Sequence, residues 1–111
     1  MTAQDMTLLD DLAADPGVLA AAKLRVIYGA IYEAAKLAGG FYSAASVRPH
    51  LPEHLRSDHR IGAAISALPK ARIARATGTY VPGMNAVSRN TNRPVPVYRV
   101  LDWDRLKEKS A

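Results

Sequence analysis

Apolar residues recur at helical spacing through the first third of the chain. Leu24, Ile27, Tyr28, Ile31, Ala35 and Ala38 fall on one stripe, with Arg25, Glu33 and Lys36 opposite. Asp15 before Pro16 reads as an N-cap followed by a first helical residue, and Gly39-Gly40 as a left-handed stop, so the pattern predicts a helix over 16–38. Gly29 inside that helix costs about 1 kcal/mol relative to alanine, which predicts close approach of another backbone there. Ser43 is placed to cap a second, short helix, with Tyr42 able to staple onto Val47, and Pro49 limits it to one or two turns. Ser57 or Asp58 caps a third helix over 58–68. Its apolar positions Ile61, Ala64, Ile65 and Leu68 stand at i, i+3, i+4 and i+7, and Pro69 ends or bends it.

Beyond Pro69 the period changes from helical to extended. Residues 73–80 read as a strand interrupted at Gly78, and residues 95–101, rich in valine and tyrosine, as a second. Between them, over 82–94, lies a polar loop carrying Arg89, Asn90, Asn92 and Arg93. It is long for a hairpin connection, and long loops in compact domains are usually either functional or disordered. Residues 102–109 suit a short closing helix with Trp103 and Leu106 packing back.

Charge adds direction to this outline. Residues 1–22 contain Asp5, Asp10, Asp11 and Asp15 and no base, so an acidic arm over 1–15 precedes a remainder of the chain that holds all 15 lysines and arginines. Glu53 and Asp58 are the only acids between positions 41 and 101, where the bases are arginines apart from Lys70. A basic domain of this kind suits a polyanion, and arginine matches phosphate and guanine better than lysine does. The arm contributes little to the apolar stripe and is expected to be dispensable for folding. There is no cysteine, and no apolar run approaches the roughly 20 residues needed to cross a membrane. The N-terminal residues lack the bases of a secretion or transit signal. These features predict a cytoplasmic protein without disulfides.

Helix, short helix, turn, helix, strand, basic loop, strand is the order of a helix-turn-helix followed by a hairpin wing. The segments 40–49, 60–68, 77–82 and 93–99 (GFYSAASVRP, RIGAAISAL, TGTYVP and RPVPVYR) resemble the small winged-helix DNA-binding proteins of bacteriophages, particularly those of actinobacteria. The resemblance covers roughly residues 18–101. It implies a mainly α, α+β winged helix-turn-helix, with a three-helix core and a C-terminal two-stranded wing over 16–101. It also implies a regulatory or accessory role on double-stranded DNA, in the host cytoplasm if the protein is phage-encoded. The chain departs from the family at 69–72, where Pro-Lys-Ala-Arg stands in a turn that often holds glycine, and in its acidic arm.

On the third helix, His59, Ala63, Ser66 and Lys70 lie opposite the core stripe, with Arg60 at the edge. A small-residue outer face can enter a major groove. There His59, Arg60, Ser66 and Lys70 offer donors and Ala63 a contact for a thymine methyl; the bland alternative is an ordinary solvent face. Arg89, Asn90, Asn92 and Arg93 on the wing suit backbone phosphates or the minor groove, and Arg48 on the second helix suits phosphate. Arg72, Arg75 and Arg99 either extend the basic surface or pair with the acidic arm.

His50 and His54 have the spacing of two ligands on a helix, but Pro52 lies between them and no HExxH motif or cysteine accompanies them, so no metal is expected. No phosphate-binding glycine loop, carboxylate cluster or nucleophile–histidine–acid arrangement is legible, so neither catalysis nor a cofactor is expected. A protein-interaction module that binds a host replication or transcription protein stays open as the alternative, with a nuclease subunit a weaker third. A homodimer through the first helix or the tail near Trp103 is also open.

Overall fold

The structure is a computed structural model and describes residues 16–82 and 94–111. The acidic arm and the tip of the polar loop, with Arg89, Asn90, Asn92 and Arg93, lie outside the described residues. The chain forms helix α1 (Pro16–Leu37), strand β1 (Phe41–Tyr42) and helix α2 (Ala44–Val47). Two 3-10 turns, Arg48–His50 and Glu53–Leu55, lead to helix α3 (Arg60–Lys70). Strands β2 (Ala74–Pro82) and β3 (Pro94–Val100) follow, and helix α4 (Trp103–Ser110) closes the chain. The result is a mainly helical α+β domain whose three strands make one antiparallel sheet in the order β1-β3-β2.

Local chemistry sets the helix ends. Gly39 and Gly40 take positive φ after α1, and the Gly40 N–H reaches back to the Ala35 carbonyl at 2.7 Å. Ser43 and Ser46 form a reciprocal capping box at α2, in which each backbone N–H is bonded by the other's hydroxyl. Pro49 then turns the chain into the first 3-10 segment. At α3 the N-cap position is His59, but the capping side chain is Asp58, whose carboxylate accepts the Arg60 N–H at 2.8 Å. Pro69 does not end α3, which runs one residue beyond it.

α3 closes with the same motif as α1, but without glycine. The Ile73 N–H bonds the Leu68 carbonyl and the Arg72 N–H bonds the Pro69 carbonyl, while the buried Ile73 and Leu68 side chains make the accompanying apolar pair. Arg72 therefore sits in the left-handed region, with φ 60°, which costs a non-glycine residue about 1–2 kcal/mol. Arg72→Gly removes that strain but adds freedom to the unfolded chain, so a net gain of about 0.5–1 kcal/mol is expected, read as a raised urea midpoint at unchanged m-value. A fall in the midpoint would mean that the Arg72 side chain contributes more than its backbone loses.

The core lies between α1, α3 and one face of the sheet. Ile27, Ile31, Ala34 and Ala35 of α1 meet Ile61, Ala64, Ile65 and Leu68 of α3, the four positions of the expected stripe. Val47, Leu51 and Leu55 fill one end, and Tyr42, Ala74 and Val100 cover it from the sheet. Leu106 completes it from α4, which runs antiparallel along α1: Trp103 stands edge-on to Tyr32 at 5.6 Å, and Lys109 lies over the Tyr28 ring. Gly29 faces the Ser110 side chain, and a Cβ there would meet it at an ordinary 3.8 Å, so no close backbone approach requires this glycine.

The sheet adds one strand to the expected two-stranded hairpin and keeps the interruption expected at Gly78. β1 adds a third strand, pairing Phe41 with Arg99 and Tyr42 with Tyr98. β2 also carries an irregularity between Ala76 and Tyr80, where Gly78 takes φ 81°. Thr77 holds this bulge: its hydroxyl donates to the Val97 carbonyl at 2.9 Å and accepts the Thr79 N–H.

Tyr42, stacked on Tyr98 at 5.4 Å, is buried with no partner for its hydroxyl among the described residues, and burial pushes its ionisation well above the ordinary range. An orphaned buried hydroxyl is unfavourable. Tyr42→Phe is therefore expected to leave the thermal midpoint unchanged or to raise stability by about 1 kcal/mol. A clear drop in midpoint would reveal a partner for that hydroxyl.

Candidate nucleic-acid interface

Both ends of α3 are fixed before its outer face is considered. Arg105 of α4 donates to the Ala71 carbonyl at 3.0 Å, placing a cation at the negative end of α3. The Ile73 carbonyl accepts the N–H groups of both Leu101 and Asp102, which ties the end of β3 to the turn after α3. On the N-terminal side, Arg48 donates through Nε to the Arg56 carbonyl, and Arg56 through Nε to that of Leu51, each at 3.1 Å. These bonds brace the segment between α2 and α3 over the buried Leu51 and Leu55.

α3 buries Ile61, Ala64, Ile65 and Leu68 and exposes Gly62, Ala63, Ser66 and Lys70. The helix contains no acid. His59, just before it, is largely solvent-exposed. His59, Ala63, Ser66 and Lys70 therefore share one solvent-facing side of a rigidly seated helix.

Arg60 stands apart from that group. Its guanidinium lies 3.3 Å from both oxygens of Asp58, and its side chain is largely covered. Lys23 of α1 approaches the same carboxylate at 3.7 Å. The Arg60 backbone N–H, and then the guanidinium and Lys23, hold the Asp58 carboxyl below its usual range against the opposing effect of partial burial. Arg48 is half-buried with its Nε engaged, so its first role is to brace the turn. Sequence reasoning missed the Asp58–Arg60 pair, although the two stand at the i, i+2 spacing of a cap and its recipient N–H.

Arg75 and Arg99 lie directly opposite each other on β2 and β3, and Phe41 of β1 is the next residue in the same row. All three are exposed on the outer face of the sheet. Arg72 is exposed in the turn before β2. No three His, Asp or Glu residues gather as a metal site among the described residues. No described helix is long and apolar enough to cross a membrane. The chain matches no protein-family model, and no curated protein or solved structure shows significant similarity to it.

Proposed function

We propose that the chain is a winged helix-turn-helix protein that binds double-stranded DNA, with α3 as the recognition helix and the 82–94 loop as the wing. The observation that carries this reading is the outer face of α3, which is exposed, acid-free and formed of small and basic residues on a helix held by its opposite face. An isolated surface helix gains from mixed charges on its solvent side, whereas a groove-entering helix is served by short side chains and donors. The order helix, strand, helix, helix, strand, strand and the excess of arginine over acid after position 41 support the same reading.

Within it, Ser66 and His59 donate to base edges, Ala63 meets a thymine methyl, and Lys70 neutralises phosphate at the far end of the helix. Arg89 and Arg93 of the wing, with Asn90 and Asn92 beside them, take backbone phosphate or the minor groove. Arg60 joins only by leaving Asp58, so it serves as a reserve cation. The role is regulatory or accessory.

The experiment is a salt titration of binding to one selected site and to one random duplex. Lys70→Ala, Arg89→Ala and Arg93→Ala are each expected to weaken both duplexes alike and to lower the slope of log K against log salt by about 1. Ser66→Ala is expected to relax discrimination at the selected site while leaving the slope unchanged, because base edges vary along the duplex and phosphates do not. Four variants that bind both duplexes as the parent does would reject the duplex reading in favour of a protein partner.

A further inference from the structure

The outer face of the sheet holds a feature that duplex recognition by α3 does not use. Phe41, Arg99 and Arg75 stand side by side across β1, β3 and β2, a row about 10 Å long at the usual strand spacing. Like charges directly opposed on neighbouring strands are unfavourable. Among the described residues no carboxylate offsets them: every ion pair there centres on Asp58. The Arg99 guanidinium lies 6.0 Å from the centre of the Phe41 ring, which is itself 42% exposed. Phe41, Arg75, Ala76, Thr77 and Arg99 together line an open, shallow concavity of about 310 Å³.

An exposed arginine pair with no carboxylate partner among the described residues calls for an anion, and an exposed ring beside it calls for a flat apolar partner. An acidic peptide answers only the first requirement. A nucleotide unit answers both, with its base stacked on Phe41 and its phosphate between Arg75 and Arg99. An open, shallow surface suits a chain of such units better than an enclosed mononucleotide pocket would. We propose that this row is a binding site for single-stranded nucleic acid, separate from the α3 face and independent of whether α3 binds duplex.

The test is fluorescence anisotropy on the full chain, with a labelled thymidine oligonucleotide about 15 nucleotides long, across a salt series. The double variant Arg75→Gln with Arg99→Gln is expected to weaken binding at least tenfold and to lower the salt slope by about 1.4, the loss of two single-strand phosphate contacts. Phe41→Leu is expected to weaken binding at least about fivefold with the slope unchanged, the signature of a lost stack. Both variants remove exposed side chains, and thermal melts confirm that each stays folded. Ser66→Ala and Lys70→Ala should leave strand binding as it is, so failure of the duplex reading and failure of this one are separable.

Equal strand binding by parent, double arginine variant and Phe41→Leu would overturn the proposal. So would displacement of the strand by AMP or inorganic phosphate at the strand's own concentration, which would make the site one for a small anion. Loss of strand binding in the Lys70 variant equal to that in the arginine variant would place the strand on α3 instead.

Discussion

Leu106→Ala is expected to lower the stability of the domain by about 2–5 kcal/mol, a large share of the roughly 5–15 kcal/mol that holds a domain of this size. Leu106 is fully buried and is the side chain by which α4 enters the core. On either side of it, Trp103 meets Tyr32, and Lys109 lies over Tyr28, so α4 is seated along its whole length. Truncation leaves a cavity that these flanking contacts keep from collapsing, which puts the expected cost toward the upper part of the range. The readout is a urea titration followed by circular dichroism and by the fluorescence of Trp103, the single tryptophan. Both probes should move together to a lower midpoint. If Trp103 changes its environment early while the helical signal keeps its midpoint, α4 is an appendage rather than part of the cooperative unit.

Asp58→Ala is expected to cost about 2 kcal/mol at neutral pH, the upper end for loss of a helix cap, because the change also strands Lys23 and Arg60. The effect has a definite pH dependence. The folded carboxyl ionises below its usual range, chiefly through the Arg60 N–H, so the folded state keeps the charge to lower pH than the unfolded chain does. Its contribution is fully present above the ordinary aspartate range and fades as pH falls through that range toward the lower folded value. Parent and Asp58→Ala stabilities should therefore converge on acidification. Asp58→Asn, which retains a capping oxygen without the charge, should fall between them at neutral pH. A difference that stays constant with pH would show that the ion pairs are idle. Under the proposed duplex reading the same substitution releases Arg60 and removes an acid beside α3, so affinity for DNA should rise, and the salt slope should rise by about 1 if Arg60 then meets a phosphate.

Much of the fold was legible because its determinants are local. The stripes on α1 and α3, the Gly39-Gly40 stop and the Ser43 cap each depend on residues within a turn or two of one another. β1 was not legible. Its two residues carry no period, and they form a strand only because residues 98 and 99 return to pair with them. Arg72 concealed a left-handed cap that a glycine would have announced; the nearby Pro69 read as an end or a bend, whereas the helix runs one residue past it. The outer face of α3 followed directly from the core stripe, as its complement. The Phe41–Arg99–Arg75 row did not, because each member comes from a different strand and sequence distance conceals the adjacency. Arg60 lay on the correct edge of α3, but its partner on the preceding residue pair removes it from the free surface.

The bulge in β2 fixes how the hairpin can change length. Ala76 pairs with Tyr98 and Tyr80 with Pro96, so β2 spends four residues where β3 spends two. The excess is an even number, and side chains beyond the bulge keep the alternation they had before it. Removing Gly78 alone would make the excess odd and exchange the two sides of the distal hairpin, turning Tyr80 over and redirecting everything it carries. Removing Gly78 and Thr79 together would flatten the ribbon but leave each residue on its own side. Descendants of this sequence should therefore vary the hairpin here by two residues at a time.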